Sequence, residues 1–132
     1  MKKILVNHPE RNYEAEVDDE DYDFLSQHRW SASVRRTTTY ANTSILTKTG
    51  VWKGISMHRM VIGDAEEDWL RTHTGYTEEH LDNGKTIYFI PDRYRRLRTV
   101  TVDHIDGNGL NNMRANLRHL SCVEQVKNRR FY

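Results

Sequence analysis

Apolar and polar residues alternate through much of the first half of this chain, the period of half-buried strands rather than of helices. Residues 3–6 read as a short strand closed by Asn7-His8-Pro9, and Tyr13-Glu14-Ala15-Glu16-Val17 reads as a second. The acids Asp18-Asp19-Glu20-Asp21 then supply N-cap and first-turn residues for a helix near 20–26, with Tyr22, Leu25 and Trp30 turned inward. That run could instead hold a metal, but helix-start chemistry accounts for it more economically. Residues 30–32, 37–44 and 51–57 predict three short strands, with β-formers at Thr37-Thr38-Thr39-Tyr40 and a turn at Lys48-Thr49-Gly50. Met57-His58-Arg59-Met60-Val61-Ile62-Gly63 predicts a short helix stopped by its glycine, with His58 read as a packing residue rather than a ligand.

Beyond Gly63 the pattern weakens. Residues 64–72 predict a helix that buries Trp69 and Leu70; Asp82-Asn83-Gly84-Lys85 predicts a turn, and 86–90 a strand stopped by Pro91. His73 and His80 read as surface residues. Arg93, Arg95, Arg96 and Arg98 lead into an alternating run, Thr99-Val100-Thr101-Val102, at whose end stand Asp103 and His104. A loop rich in Gly and Asn follows at 106–112, then an apolar run at 117–120. Ser121 and Glu124 have the spacing of a capping box that opens a helix. The order is strand, loop, strand, helix, with a base and a carboxylate where the first strand ends.

Charge sharpens this picture. The 132-residue chain has a net charge of +1, unevenly placed. Residues 1–30 hold four Lys/Arg against eight Asp/Glu, residues 31–90 seven of each, and residues 91–132 nine against four. A basic last third beside a candidate metal site suits a polyanion such as nucleic acid, although a solvated surface would look similar. The single cysteine, Cys122, excludes an internal disulfide and a cysteine-built zinc knuckle. No apolar run has the length of a membrane span, so a cytoplasmic protein without a membrane partner is expected.

Hydrolysis of a phosphodiester needs an activated water and neutralisation of the charge that grows on phosphorus and on the leaving oxygen. A neutral imidazole suits the first task, and a divalent cation the others. Mg²⁺ prefers oxygen ligands and keeps several waters, so one carboxylate and one amide oxygen can be the protein's share. Asp103 can be the carboxylate, and Gln125 and Asn128 share a helix face that can supply the amide. Neighbours on a regular strand face opposite ways, so Asp103 and His104 can serve one phosphate only if the strand ends or bulges there.

The segment Asp103-His104-Ile105-Asp106-Gly107-Asn108, with Asn111-Asn112, Asn116-Leu117-Arg118 and the helix beyond, resembles the HNH endonuclease family. These are His-Me finger (ββα-metal) nucleases, of the kind common in phage and among intron-encoded homing enzymes. The stretch 57–63 is similar to a segment that often precedes the site, and residues 17–22, Trp30 and Tyr40-Ala41 resemble the usual lead-in. The resemblance implies that His104 is the general base, that Asp103 is the first metal ligand and that Asn116 braces the loop. Gln125, in place of the commoner Asn or His, or else Asn128, would be the second metal ligand. Cysteine pairs for structural zinc are absent, and the 64–98 segment is longer than usual.

The expected fold class is therefore α+β: a small antiparallel β-sheet lobe over 1–63, a connector or insertion over 64–98, and a ββα-metal motif over 99–132. The expected activity is a DNA endonuclease using one Mg²⁺ or Mn²⁺, as a monomer or homodimer, in a bacterial or phage-infected cell. Arg95, Arg96, Arg98, Arg118, Lys127, Arg129 and Arg130 would grip phosphates, and Arg35 or Arg36 would read bases from the sheet. Two other readings stand beside it: a DNA-binding protein with little or no cleavage, and a non-specific nuclease of DNA and RNA.

Overall fold

The computed structural model describes residues 1–73 and 75–121, with the side chains of 71 and 95–97 outside the described set. Five strands form the main sheet: β1 (Lys2–Asn7), β2 (Tyr13–Val17), β3 (Trp30–Val34), β4 (Thr39–Leu46) and β5 (Trp52–Ser56), in the order β2-β1-β3-β4-β5. The β1–β3 pair is parallel and the others antiparallel, because α1 (Asp19–Leu25) carries the chain across between β2 and β3. A second α-helix, α2 (Met57–Ile62), follows β5 directly. Then come two hairpins, β6 (Thr77–His80) with β7 (Thr86–Phe89), and β8 (Val100–His104) with β9 (Leu117–Ser121).

Alternation decides which side chains are buried. Ile4 and Val6 of β1, Ala15 and Val17 of β2, and Ala41 and Ile45 of β4 are buried while their neighbours are exposed or half-buried. Trp30 is buried, and its indole N–H donates to the Leu25 carbonyl at 2.8 Å, so its polar tip is not orphaned. On α2, Met57, Met60 and Val61 repeat at helical spacing and enter the core. The same core cluster also takes Ile87 and Leu117, so all three expected segments share it.

The α+β expectation is corrected. The described residues are predominantly β, nine strands in three sheets against two α-helices of seven and six residues, and the ββα architecture with its closing helix is not what they form. The main sheet is mixed rather than antiparallel, and the helix expected over 64–72 shrinks to a 3₁₀ turn at Asp68–Arg71. Asp64 explains that loss. Its carboxylate takes a two-pronged bond from Arg59 (2.8 and 2.6 Å), the Tyr88 N–H at 3.0 Å and a more distant Arg98 at 3.6 Å. Its own N–H donates to the Thr86 carbonyl at 2.9 Å. The chain after Gly63 is thus tied to β7 rather than free to coil. Gly63 itself sits at φ 74°, and an added Cβ would lie 3.1 Å from Lys85 Cβ. The helix expected to open at Ser121 lies outside the described residues.

Burial works to raise the Asp64 pKa, but the Arg59 hydrogen bonds and charge, with Arg98 and the Tyr88 N–H, outweigh it and hold the carboxyl below its ordinary value. A depressed carboxylate contributes stability that is present above the ordinary value of 3.8 and is lost as pH falls through the lower folded value. Asp64→Asn should therefore cost about 3 kcal/mol in urea unfolding at pH 7, because it leaves Arg59 without its partner. The difference from wild type should shrink as the pH is lowered below 3.8; an equal difference at every pH would exclude this role.

Candidate active site

Asp103 and His104 reach one cleft because β8 stops at His104. The Gly107 N–H donates to the His104 carbonyl at 2.9 Å, and Gly107 at φ 76° turns the chain back at once. The loop beyond is ordered by its own side chains. Asp106 accepts from Asn116 Nδ2 at 2.9 Å, from Asn111 Nδ2 at 3.0 Å and from the Asn108 N–H at 2.8 Å. Asn116 also donates to the Asn111 carbonyl at 2.9 Å and accepts from the Asp106 N–H at 3.0 Å. Asn116 thus ties together the two ends of the loop.

That loop is in turn docked on the N-terminal half. The Glu16 N–H donates to Leu110 O and the Asn112 N–H to Glu16 O, both at 2.8 Å, which extends the free edge of β2. Arg114 makes a two-pronged bond to the buried Asp21 at 3.0 and 2.6 Å, and its N–H donates to Asp18 Oδ2 at 2.8 Å. The acidic run therefore anchors an arginine, and Asp18 caps no helix N–H with its side chain. On the other side, the Gly109 N–H donates to Thr38 Oγ1 at 2.8 Å. A Cβ at Gly109 would collide with the Thr39 carbonyl and, at 2.7 Å, with the Tyr40 ring, so only glycine lets the loop approach β4.

The resulting cleft is about 320 Å³ and polar, with Arg35, Tyr40, Asn42, His58, Asp103 and His104 around it. His104 is buried, and its Nε2 lies 2.7 Å from Asn112 Oδ1. With Oδ1 as acceptor, the ring is protonated on Nε2 and keeps its lone pair on Nδ1. Burial pushes the His104 pKa below 6.5, against the opposing pull of the Asn112 hydrogen bond and of the Asp103 and Asp106 charges, so the ring is neutral at pH 7. His58 stands edge-on to it, ring centres 4.7 Å apart, with Tyr40 at 5.6 Å from His58 and 5.8 Å from His104. Burial, then the His104 and Arg59 charges, lower the His58 pKa to about 3. Its Nδ1 is a buried atom without a hydrogen-bond partner. Burial, with the Asp103 charge, raises the Tyr40 pKa and keeps the phenol protonated. Across the hairpin, where the register sets it directly opposite, Arg118 Nε donates to Asp103 Oδ2 at 3.1 Å.

No family model, curated protein or solved structure matches this chain.

The sequence-predicted residues fare unequally. Asp103, His104, Asn116, Arg118 and Arg35 come together at the cleft or its supporting loop. Arg36 lies on the exposed turn before β4. Arg98 is directed at the Tyr88 carbonyl (2.8 Å) and Asp64 rather than at the cleft. Arg95 and Arg96 have no described side chains, and Gln125, Lys127, Asn128, Arg129 and Arg130 lie outside the described residues. Among those described, no three His, Cys, Asp or Glu side chains are arranged to hold a metal. Tyr40 and His58 line the cleft, and Asn112 holds His104 from the interior; none of them carried a predicted catalytic role. For His58 a signal existed, since the apolar period of Met57, Met60 and Val61 turns it away from the core.

In nitrogen-15 spectra, His104 should show a neutral ring protonated on Nε2, titrating with a midpoint below 6.5. Asn112→Ala, which removes a bond that favours the protonated ring, should move that midpoint lower still. A midpoint at or above 6.5 in the wild type would contradict the burial argument.

Proposed function

We propose that this chain is a phosphodiester hydrolase that cuts DNA, an endonuclease of the HNH kind with His104 as general base. One observation carries the reading: a buried, neutral imidazole, oriented through Nε2 by Asn112, sits beside a carboxylate in an open polar cleft flanked by Arg35 and Arg118. His104 Nδ1 takes the proton from a water, and ring orientation by Asn112 keeps that lone pair in place. Tyr40, a protonated phenol in the same cleft, can donate to a phosphoryl oxygen. Arg35 adds positive charge where the phosphate would lie.

The donor set suits a divalent cation of the Mg²⁺ class only in part. Asp103 offers hard oxygen in a polar cleft, and the amides of Gln125 or Asn128 are the sequence's candidates for the remainder. When bound, such an ion supplies Lewis-acid stabilisation of the phosphate and the leaving oxygen. A second reading, a DNA-binding protein with little cleavage, is favoured by Arg118, which already holds one Asp103 oxygen. No helix among the described residues is long and apolar enough to cross a membrane. A cytoplasmic, DNA-directed protein, monomeric or homodimeric, is the setting we propose.

With Mg²⁺ or Mn²⁺, the wild type should nick supercoiled plasmid, and His104→Ala should do so about 100-fold more slowly or worse while still binding DNA. Binding without nicking by the wild type would favour the second reading. Equal cleavage of RNA and unrelated DNA would point to a non-specific nuclease.

A further inference from the structure

The cleft continues along one face of the β3-β4-β5 sheet. Cross-strand partners share a face, and the register aligns Ser33 with Tyr40, Ser31 with Asn42 and Ser56, Ser44 with Gly54, and Leu46 with Trp52. Ser33, Tyr40 and Asn42 line the cleft; a second groove of about 680 Å³ takes Ser31, Asn42, Ser44, Gly54 and Trp52, with Arg29 at its side. Asn42 belongs to both. No carboxylate is among the described residues that line this second groove.

Two features of the strip have no structural reason. Trp52 is 66% exposed beside Leu46 at 56% and Val51 at 50%, an apolar cluster in water. Gly54 lies mid-strand at an ordinary φ, and a Cβ there would meet nothing closer than the Thr43 carbonyl at 3.9 Å. Neither a turn nor packing demands glycine, which weakens a strand, whereas a ligand lying close to the sheet would. Serines and a glycine make a low floor, and an aromatic ring stands at the far end. From Tyr40 to Leu46 the strip runs about 20 Å, at about 3.3 Å per residue. A flat polar floor ending in an exposed indole fits a strand whose bases are unpaired, because stacking on an aromatic face needs an unstacked base.

We propose that this strip is a track for single-stranded DNA leading out of the cleft, with an unpaired base stacked on Trp52. The proposal rests on the nucleic-acid reading above and narrows its substrate to DNA with an unpaired stretch beside the cut site. The backbone of the strand passes over Ser31, Ser44 and Gly54, close enough that a β-branched side chain at position 54 would lift it away.

Fluorescence anisotropy with a labelled single-stranded oligonucleotide and with a duplex tests this on the full chain. Trp52→Ala should weaken single-strand binding about 5- to 150-fold, from the loss of roughly 1–3 kcal/mol of stacking. Trp52→Phe should recover most of it. Gly54→Val should weaken binding while leaving thermal stability equal or higher, a separation that a purely structural role would not produce. Unchanged single-strand affinity in Trp52→Ala and Gly54→Val would overturn the track while leaving the cleft reading intact. Wild type that binds and nicks duplex but ignores single strands would do the same. Wild type that binds no DNA of either kind would overturn both. Self-association of the wild type that Trp52→Ala abolishes, with single-strand affinity unchanged, would assign the patch to a second copy and overturn the track.

Discussion

The docking of the 105–116 loop on the first strands and helix is the constraint on which the site depends. The loop is polar and cannot hold itself in place by burial, so it uses directed bonds: Glu16 main chain to Leu110 and Asn112, Asp21 and Asp18 to Arg114, and Thr38 to Gly109. These partners lie near the two ends of the sequence. Bonds to a buried carboxylate such as Asp21 resist exchange with water more than exposed ones do, and their geometry is narrow. The loop therefore has one seat, and Asn112, seated with it, has one place from which to face His104.

The short helix α2 then divides the labour around that seat. Its Met57, Met60 and Val61 anchor it in the core, Arg59 ties the 64–98 segment through Asp64, and His58 faces the cleft. A half-buried, neutral His58 adds no positive charge next to His104. That matters because an imidazolium forms on His104 if it accepts a proton, and a second cation at 4.7 Å would oppose it.

Local signals carried well into the structure where one residue type decides the outcome. The runs read as strands became β1 to β5, β7, β8 and β9, and the Met57–Ile62 periodicity became a helix. The fold class did not carry over. Whether residues 64–72 coil depends on the Asp64 carboxylate, which holds Arg59 five residues before it and is also fixed to Tyr88 and Arg98, contacts too distant in the chain for a window of sequence to contain. The β1–β3 parallel pair has the same character, since its partner strands are separated by a hairpin and a helix. The site divides in a similar way. Asp103, His104 and Asn116 were legible because they sit in one short segment; the periodicity of α2 marked His58 as off the core face but not as part of the cleft, and Tyr40 was not legible, because it reaches the cleft only once the sheet is packed. Asn112 was visible as a residue but not as a partner of His104.

Charge shows why position along the chain is a poor guide to the surface. In sequence, residues 1–30 carry an excess of acids and residues 91–132 an excess of bases. In the fold, Asp18, Glu20 and Asp21 converge on Arg114, and Asp19 pairs with the N-terminal amine at 2.8 Å. Much of the acidic run is thus neutralised by a cation from the opposite end of the sequence, rather than left to repel a polyanion. Other cations are likewise taken from phosphate by carboxylates, Arg59 and Arg98 by Asp64 and Arg118 by Asp103. Among the described residues, what remains at the cleft is Arg35, and along the adjoining groove Arg29. With so few uncommitted cations among the described residues that line the cleft and groove, charge alone does not hold a nucleic acid there, and that places the weight of any such contact on stacking and on the low floor around Gly54.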